Sequence, residues 1–348
     1  MSTLTLAEDR ILLKHGAGGR AMRRLIAESF LTAFHTDPEV PAGRIGLAAM
    51  DDGAAVRIGN EWLIFTTDSH VIQPAFFPGG DIGRLSISGV VNDLAMMGAT
   101  EVLGLSCSVI LEEGFPRADL ARILTSMREA CEEAHAVVVT GDTKVMGHGE
   151  IDGIVINTAG IALTRQVVTD RGLHVGDRIV VTGTVGDHGM AVMATRHGLT
   201  LESGLTSDVA PINGLIAAAL AVEPGAVTAM KDPTRGGVAS ALHEMAEKGR
   251  VGIVIEERAV PVRAAVRGLS ELVGVDPLLA ANEGKALLAV RAHAVEPVLA
   301  ALRAHPLGRD AAVIGLCTED RPGMVVLETG FGRRLIVEPE GEPMPRIC

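Results

Sequence analysis

The stretch AVVVTGDTKVMGHGEIDGIVINTAGI, residues 136–161, decides the fold. It opens on a β-branched run at 136–140 and closes on a second strand-like run at 154–161. Between them lies a loop carrying Gly141, Gly147, Gly149 and Gly153, with no helical period. A doubly wound sheet alternates strand with helix. Strands placed back to back in this way predict an α+β architecture instead.

Upstream, strand-like runs occupy 62–67 and 102–111. Helical spacing appears at 21–34, where Met22, Ile26, Phe30 and Ala33 share one side. A helix is expected over 81–97 with Asp81 as its N-cap. Another is expected over 118–134, introduced by Pro116 and presenting Leu120, Ile123, Leu124 and Met127 to a core. Downstream, 164–177 turns polar and carries Gly172 and Gly176, and a strand follows at 178–181. A domain boundary is placed there, with an N-terminal domain over 1–165 and a C-terminal domain over 166–338. The second half repeats the grammar, with helices at 190–197, 211–221, 237–248 and near 297–305. A strand is expected at 252–256, with a further element over 277–290 and paired strands at 312–316 and 324–337. The final EPEGEPMPRIC, 338–348, holds three prolines and a glycine. It reads as an extended, flexible tail over 339–348.

Composition narrows the function. A length of 348 residues corresponds, at roughly 150 per domain, to about two domains. With 47% apolar residues the chain buries a core, so global disorder is excluded. A net charge of −12 argues against nucleic acid, which demands a basic face. Seven Phe, one Trp and no Tyr leave few stacking platforms. Four scattered Cys without a CxxC pair fit neither a disulfide scaffold nor a zinc module, which points to a reducing compartment. The first residues, MSTLTLAEDR, lack the apolar run of a signal peptide, and no apolar window approaches the ~20 residues of a membrane helix. The expected location is the cytoplasm.

Aspartates carry the strongest chemical signal. Asp51 and Asp52 precede Gly53 in a turn, Asp68 is expected at the end of the 62–67 strand, and Asp232 opens Asp232-Pro233-Thr234-Arg235-Gly236-Gly237. Asp142 is expected in a loop after the 136–140 strand. Asn92 and Asp93 interrupt the apolar helix SISGVVNDLAMMG, where an unpaired carboxylate is expensive. Any one of these is an ordinary cap or turn residue. Together, at loop mouths, they suit hard oxygen coordination of Mg²⁺, which stands between acids and a polyphosphate. The cluster His15-Gly16-Ala17-Gly18-Gly19-Arg20-Ala21 satisfies G-x-G-x-x-A. That pattern serves a tight turn before a helix as well as a phosphate flap. There is no Walker motif, no second His after His243-Glu244 and no G-x-S-x-G elbow, so P-loop, zinc-protease and serine-hydrolase readings fail. Asp187-His188-Gly189 reads as a capping turn.

Cys107, Cys131 and Cys317 read as buried structural thiols. Cys348 differs because it is the last residue. Pro343 and Pro345 are expected to stiffen the tail, and Arg346 to favour a thiolate. About ten residues from Pro339 reach ~30 Å, enough to visit the protein's own site and then a partner's. The tail therefore reads as a carrier arm, with a disordered terminus as the alternative.

Together HGAGGRAM (15–22), TTDSHVI (66–72), FFPGGDIG (76–83), VNDLAM (91–96), GDTKV (141–145), INTAG (156–160), GDHG (186–189), DPTRGG (232–237), NEGK (282–285) and PRIC (345–348) resemble the HypE family of hydrogenase maturation proteins. That family lies within the aminoimidazole-ribonucleotide synthetase (PurM-like) superfamily. The resemblance spans essentially the whole chain. It implies a two-domain PurM-like α+β fold with mixed sheets, a homodimer formed by N-terminal domains, and ATP with Mg²⁺ as cofactors. The implied activity is carbamoyl dehydration: a HypF-type carbamoyltransferase loads Cys348, and ATP-dependent dehydration turns the S-carboxamide into an S-cyanide. A HypC–HypD-type complex then takes the cyanide onto the iron of a [NiFe] hydrogenase. On this resemblance Asp68, Asp93, Asp232 and one of Asp51 and Asp52 hold Mg²⁺. His15, Gly16, Gly18, Gly19, Asp52, Asp68, Asn92, Asp93, Asp142, Thr143, Asn157, Asp232, Arg235 and Gly236 form the nucleotide site. Lys144 neutralises phosphoryl charge or polarises the carbonyl, and Glu283 removes a proton. A selenophosphate synthetase would want a reactive Cys in the N-terminal glycine loop, which has none. A metal carrier with Cys348 as soft ligand would need no ATP.

Overall fold

The computed structural model describes residues 10–34, 43–199, 204–341, 344 and 346–348. A short turn leads into α1 (Gly19–Leu25), which continues as a π-helical stretch over Ile26–Leu31. β1 (Arg44–Ile45), β2 (Ala54–Ile58) and β3 (Glu61–His70) follow as antiparallel neighbours. A small hairpin, β4 (Phe76–Phe77) and β5 (Gly80–Asp81), delivers the chain to α2 (Ile82–Met96). Asp81 caps α2 as its sequence predicts, accepting from the N–H groups of Gly83 at 2.8 Å and Arg84 at 3.0 Å. Next come β6 (Val102–Glu112), α3 (Arg117–Ala134), β7 (Val138–Met146) and β8 (Ile154–Thr164).

The first sheet has the order β1-β2-β3-β8-β6-β7. β7 lies parallel to β6, which requires the crossover through α3. The adjacent-in-sequence pair β7 and β8 is not paired in space, because β8 inserts between β3 and β6. Two expectations are corrected here. β7 does not stop at 140: its parallel register with β6 continues to Met146, so Asp142, Thr143 and Lys144 are edge-strand residues rather than a loop. Likewise β3 runs on to His70 along β8, so Asp68 lies within a strand. α2 and α3 cover one face through Leu85, Val90, Ile123 and Met127. The opposite face exposes Val56, Phe65, Leu103, Val139 and Ile161.

The second sheet is built from β9 (Arg178–Val181), followed by α4 (Asp187–Arg196), α5 (Asn213–Leu220), β10 (Val227–Lys231), α6 (Gly237–Gly249), β11 (Gly252–Glu256), α7 (Ala264–Val273), β12 (Leu287–Val290), α8 (Val295–Ala304), β13 (Ala312–Thr318), β14 (Val325–Thr329) and β15 (Gly332–Leu335). Its order is β10-β12-β9-β13-β11-β14-β15, with only β11 and β14 parallel. Period-two alternation divides β9 between two cores. Ile179 and Val181 meet Val238 and Leu242 of α6, while Val180 meets Leu215 of α5 and Leu302 of α8. The expected element over 277–290 is a short turn, a loop and β12. β10 and α7 were not anticipated from the sequence.

After β15 the chain returns to the body. Met344 and Ile347 are buried in the same core as α2 and α4, with Cys348 packed at its edge. Two apolar neighbours thus anchor a tail that the sequence presents as an extended, flexible arm. Pro343 and Pro345, expected to stiffen it, lie outside the described residues. Among the described residues no helix is long and apolar enough to cross a membrane.

Candidate active site

One cleft of about 550 Å³ gathers side chains from both halves. Asp51 and Asp52 stand before β2, the Asp52 N–H donating to Asp51 Oδ1 at 3.0 Å. Alternation along β3 turns Thr66, Asp68 and His70 to the side of α2. Asp93 of α2 meets them, accepting from Thr66 Oγ1 at 2.9 Å. This approach depends on Gly89, where a Cβ would lie 2.8 Å from His70 Nε2 and 3.1 Å from Asp68 Oδ2. Lys231 ends β10, and Asp232, Thr234 and Arg235 follow before α6. Glu244 of α6, Glu283 from the loop before β12, Gly18 and Cys348 also line the cleft.

Buried carboxyls crowded in this way favour their protons. Burial, then Asp170 and Asp52, push Asp51 up to about 7. Burial and Asp52 push Asp232 up to about 8. Burial with Asp68 and Asp232 holds Asp93 well above the usual carboxylate range, and burial with Asp232 does the same for Glu283. Lys231 is the cation set among them, its Nζ 2.5 Å from Asp52, 3.4 Å from Glu244 and 4.0 Å from Asp170. Burial opposes the ammonium, but Asp52, Glu244 and Asp170 outweigh it and hold its pKa well above normal. Lys248 pairs with Asp170 behind it. Asp52 Oδ2 and Glu283 Oε1 are buried with no hydrogen-bond partner among the described residues. Hard, mutually repelling oxygens with vacant lone pairs suit a divalent cation such as Mg²⁺. Among the described residues no three His, Cys, Asp or Glu side chains form a ready-made metal cage.

The sequence-derived site divides accordingly. Asp51, Asp52, Asp68, Asp93, Asp232, Arg235, Gly18, Glu283 and Cys348 come together. Asp142, Thr143 and Lys144 do not: they lie on the exposed edge strand β7, where Lys144 pairs with Asp142 at 3.1 Å. Asn92 is buried beside the cleft rather than in it. Its Nδ2 donates to the carbonyls of Ala210 at 3.1 Å and Glu283 at 3.2 Å, tying α2 to the Glu283 loop. Asn157 is a cross-strand tie, its Nδ2 donating to the Asp68 carbonyl at 2.7 Å. His15 and Gly16 belong to the turn before α1, where His15 Nδ1 accepts the Leu12 N–H at 2.9 Å. Gly18 and Gly19, both at positive φ, permit close packing: a Cβ would lie 2.8 Å from Arg235 Cβ and 2.5 Å from the Pro339 carbonyl respectively. Gly236, at φ +75°, is the turn that starts α6.

Arg346 pairs with Asp152 at 2.5 Å. Burial pushes the Cys131 thiol up to about 11 and Cys317 up to about 12, consistent with structural roles. Lys231, Thr66, His70 and Glu244 were missed. The signal for Lys231 was a cation directly before Asp232, and it went unread because β10 was unrecognised.

Residues 50–164 match the N-terminal domain, and 174–327 the C-terminal domain, of the AIR synthase related proteins, the class to which fold and cleft assign the chain. Within it the chain belongs to the HypE family of carbamoyl dehydratases, hydrogenase maturation proteins. It is 44% identical to carbamoyl dehydratase HypE of Azotobacter vinelandii over 100% of both chains. It is similar to the solved HypE–HypF complex at a TM-score of 0.83 and 40% identity, covering 90% of this chain and 99% of that one. A HypE structure in complex with ATP matches at 0.79 and 39% identity, covering 97% and 100%.

Proposed function

We propose that this chain carries a carbamoyl group on Cys348 and dehydrates it to an S-cyanide with ATP bound in the acidic cleft. One observation carries this reading: Cys348 lines the same cleft as the aspartates and Glu283. An amide oxygen is a poor leaving group. Attack of that oxygen on the γ-phosphate of ATP releases ADP and activates it. Loss of both N–H protons then forms C≡N as the oxygen departs in phosphate.

Glu283 is the proposed proton acceptor, since burial and a vacant oxygen make it a stronger base than an exposed carboxylate. Asp68, Asp93 and Asp232 would hold Mg²⁺. Asp52 is favoured over Asp51 as a further ligand, because Asp51 already accepts the N–H groups of Asp52 at 3.0 Å and Asp170 at 3.4 Å. A bound Mg²⁺ would supply charge shielding between these carboxylates and the phosphates of ATP. Arg235 and the Gly18 segment flank the polyphosphate.

The apolar face of the first sheet supports a homodimer. In it the edge strand of a second copy would carry Asp142, Thr143 and Lys144 towards the phosphates. A HypF-type carbamoyltransferase is the proposed donor, and a HypC–HypD-type iron complex the proposed cyanide acceptor. The test is mass spectrometry of the carbamoylated C-terminal peptide with and without Mg²⁺ and ATP. Loss of one water from a Cys348 adduct, absent in Cys348→Ala, is expected. An unchanged mass would overturn the reading.

A further inference from the structure

The GDHG turn at the start of α4 plays no part in the cleft, yet its histidine touches the tail. We propose that His188 is a positioning residue for Cys348: as the neutral Nε2–H tautomer it grips the carbonyl of Ile347 and fixes the last residue of the chain in the cleft. The inference rests on the carrier reading above and adds the device that holds the carrier.

The hydrogen bonds dictate the tautomer. His188 Nε2 lies 2.8 Å from the Ile347 carbonyl, which only accepts, so Nε2 bears the hydrogen. Nδ1 lies 2.8 Å from Ser207 Oγ and accepts from that hydroxyl. Ser207 Oγ in turn accepts the Val209 N–H at 3.0 Å. The ring is fully buried, with Phe77 edge-on at 5.2 Å between centroids. Burial lowers its pKa, in keeping with a neutral imidazole.

His188 is the centre of a larger slot. Gly189 seats Met344, since a Cβ there would lie 2.9 Å from Met344 Cε. Further along α4, Arg196 donates to the Arg346 carbonyl, which also accepts the Gln73 N–H at 3.2 Å. The Val71 N–H donates to a backbone oxygen of Cys348 at 3.4 Å. The backbone oxygens of 346, 347 and 348 are thus each held, and every one of these bonds is to the tail's backbone. Such a slot accepts a modified sulfur as readily as a free thiol, as docking a loaded carrier requires.

Two substitutions separate positioning from simple core packing. His188→Asn keeps a group near Nδ1 for Ser207 but cannot reach Ile347, whereas His188→Gln extends an amide towards Ile347. The direct readout is the alkylation rate of Cys348 in the folded full-length protein, read on the C-terminal peptide without ATP or carbamoyl donor. Loss of one buried hydrogen bond is expected to raise that rate about tenfold in His188→Asn. His188→Gln should restore protection. The dehydration rate should fall and recover in the same pattern, with ATP affinity unchanged. Ser207→Ala, which frees the ring to turn, should fall between wild type and His188→Asn and serves where His188→Asn folds poorly. Equal alkylation in wild type, His188→Asn and Ser207→Ala would overturn the assignment, as would a matching loss of ATP affinity. His188-dependent protection in a chain that shows no ATP-dependent water loss would support the docking slot and overturn the carrier reading alone.

Discussion

The acidic cleft and the tail slot are neighbours built on opposite principles. The cleft crowds Asp51, Asp52, Asp93, Asp232 and Glu283 until burial and mutual repulsion push their carboxyls towards protonation, with buried oxygens lacking partners. In the slot around His188 both ring nitrogens are answered, and Met344 and Ile347 are buried beside it. An unsatisfied site is stable only at a cost and is completed by something from outside; a satisfied one is completed by the chain itself. The difference teaches where ligand binding energy is available and where only docking is.

The contrast breaks most sharply at Asp93. Asp93→Asn removes a charge the empty cleft disfavours while keeping an acceptor for Thr66. Dehydration is expected to fall by at least on the order of a hundredfold, the scale of losing a preorganised electrostatic group. The melting temperature without Mg²⁺ should hold or rise. Full turnover would show that the acidic cleft is not the nucleotide site. Next comes Lys231→Met, which removes a buried cation from the cleft and strands Asp52 and Glu244. Breaking a buried pair in this way costs about 3–5 kcal/mol. Urea unfolding should report that loss, with Mg²⁺ restoring part of it.

A third substitution acts on the slot alone. Met344→Ala empties a buried seat, for which large-to-small changes cost about 2–5 kcal/mol. Here the loss falls on tail docking rather than on the folded body. Alkylation of Cys348 should accelerate while the main unfolding transition stays near its wild-type position. A large fall in that transition would mean that the tail is part of the structural core and not a detachable arm.

Much of this was legible locally. Asp81 before an apolar period marks the start of α2, and the β-branched runs mark β3, β6, β8 and β9, because caps and periodicity are short-range signals. Asp93 stood out because a carboxylate breaks an otherwise apolar helix, the one side chain there that turns to the acidic cleft and Thr66 rather than to the core. What stayed hidden depends on partners distant in the chain. β7 extends through Lys144 because β6 offers it register, and no local feature of GDTK announces that. The tail reads as a solvent arm because its proline-rich sequence cannot reveal that α4 and residues 71–73 wait for its carbonyls.

The smallest expected effect is a pH response in which the two regions move in opposite directions. Asp232, ordinarily near 3.8, titrates at about 8 in the folded protein, so between those values the native state holds a proton the unfolded chain has lost. Stability without Mg²⁺ should therefore decline as pH rises through that window. His188 has the reverse sign. Its pKa is lowered from 6.5 by burial, with the Ile347 carbonyl and Asp208 opposing and Arg196 assisting, so its contribution is intact above 6.5 and lost as pH falls below it. Melting curves across pH 5–8 should show both limbs, each of a few degrees. Asp232→Asn should shrink the alkaline limb, to which Asp51 at about 7 also contributes, and leave the acidic limb alone. His188→Gln should flatten the acidic limb only. If either substitution flattens both, the cleft and the slot titrate as one unit, and the separation drawn between a site that awaits a ligand and a site that holds a tail fails with it.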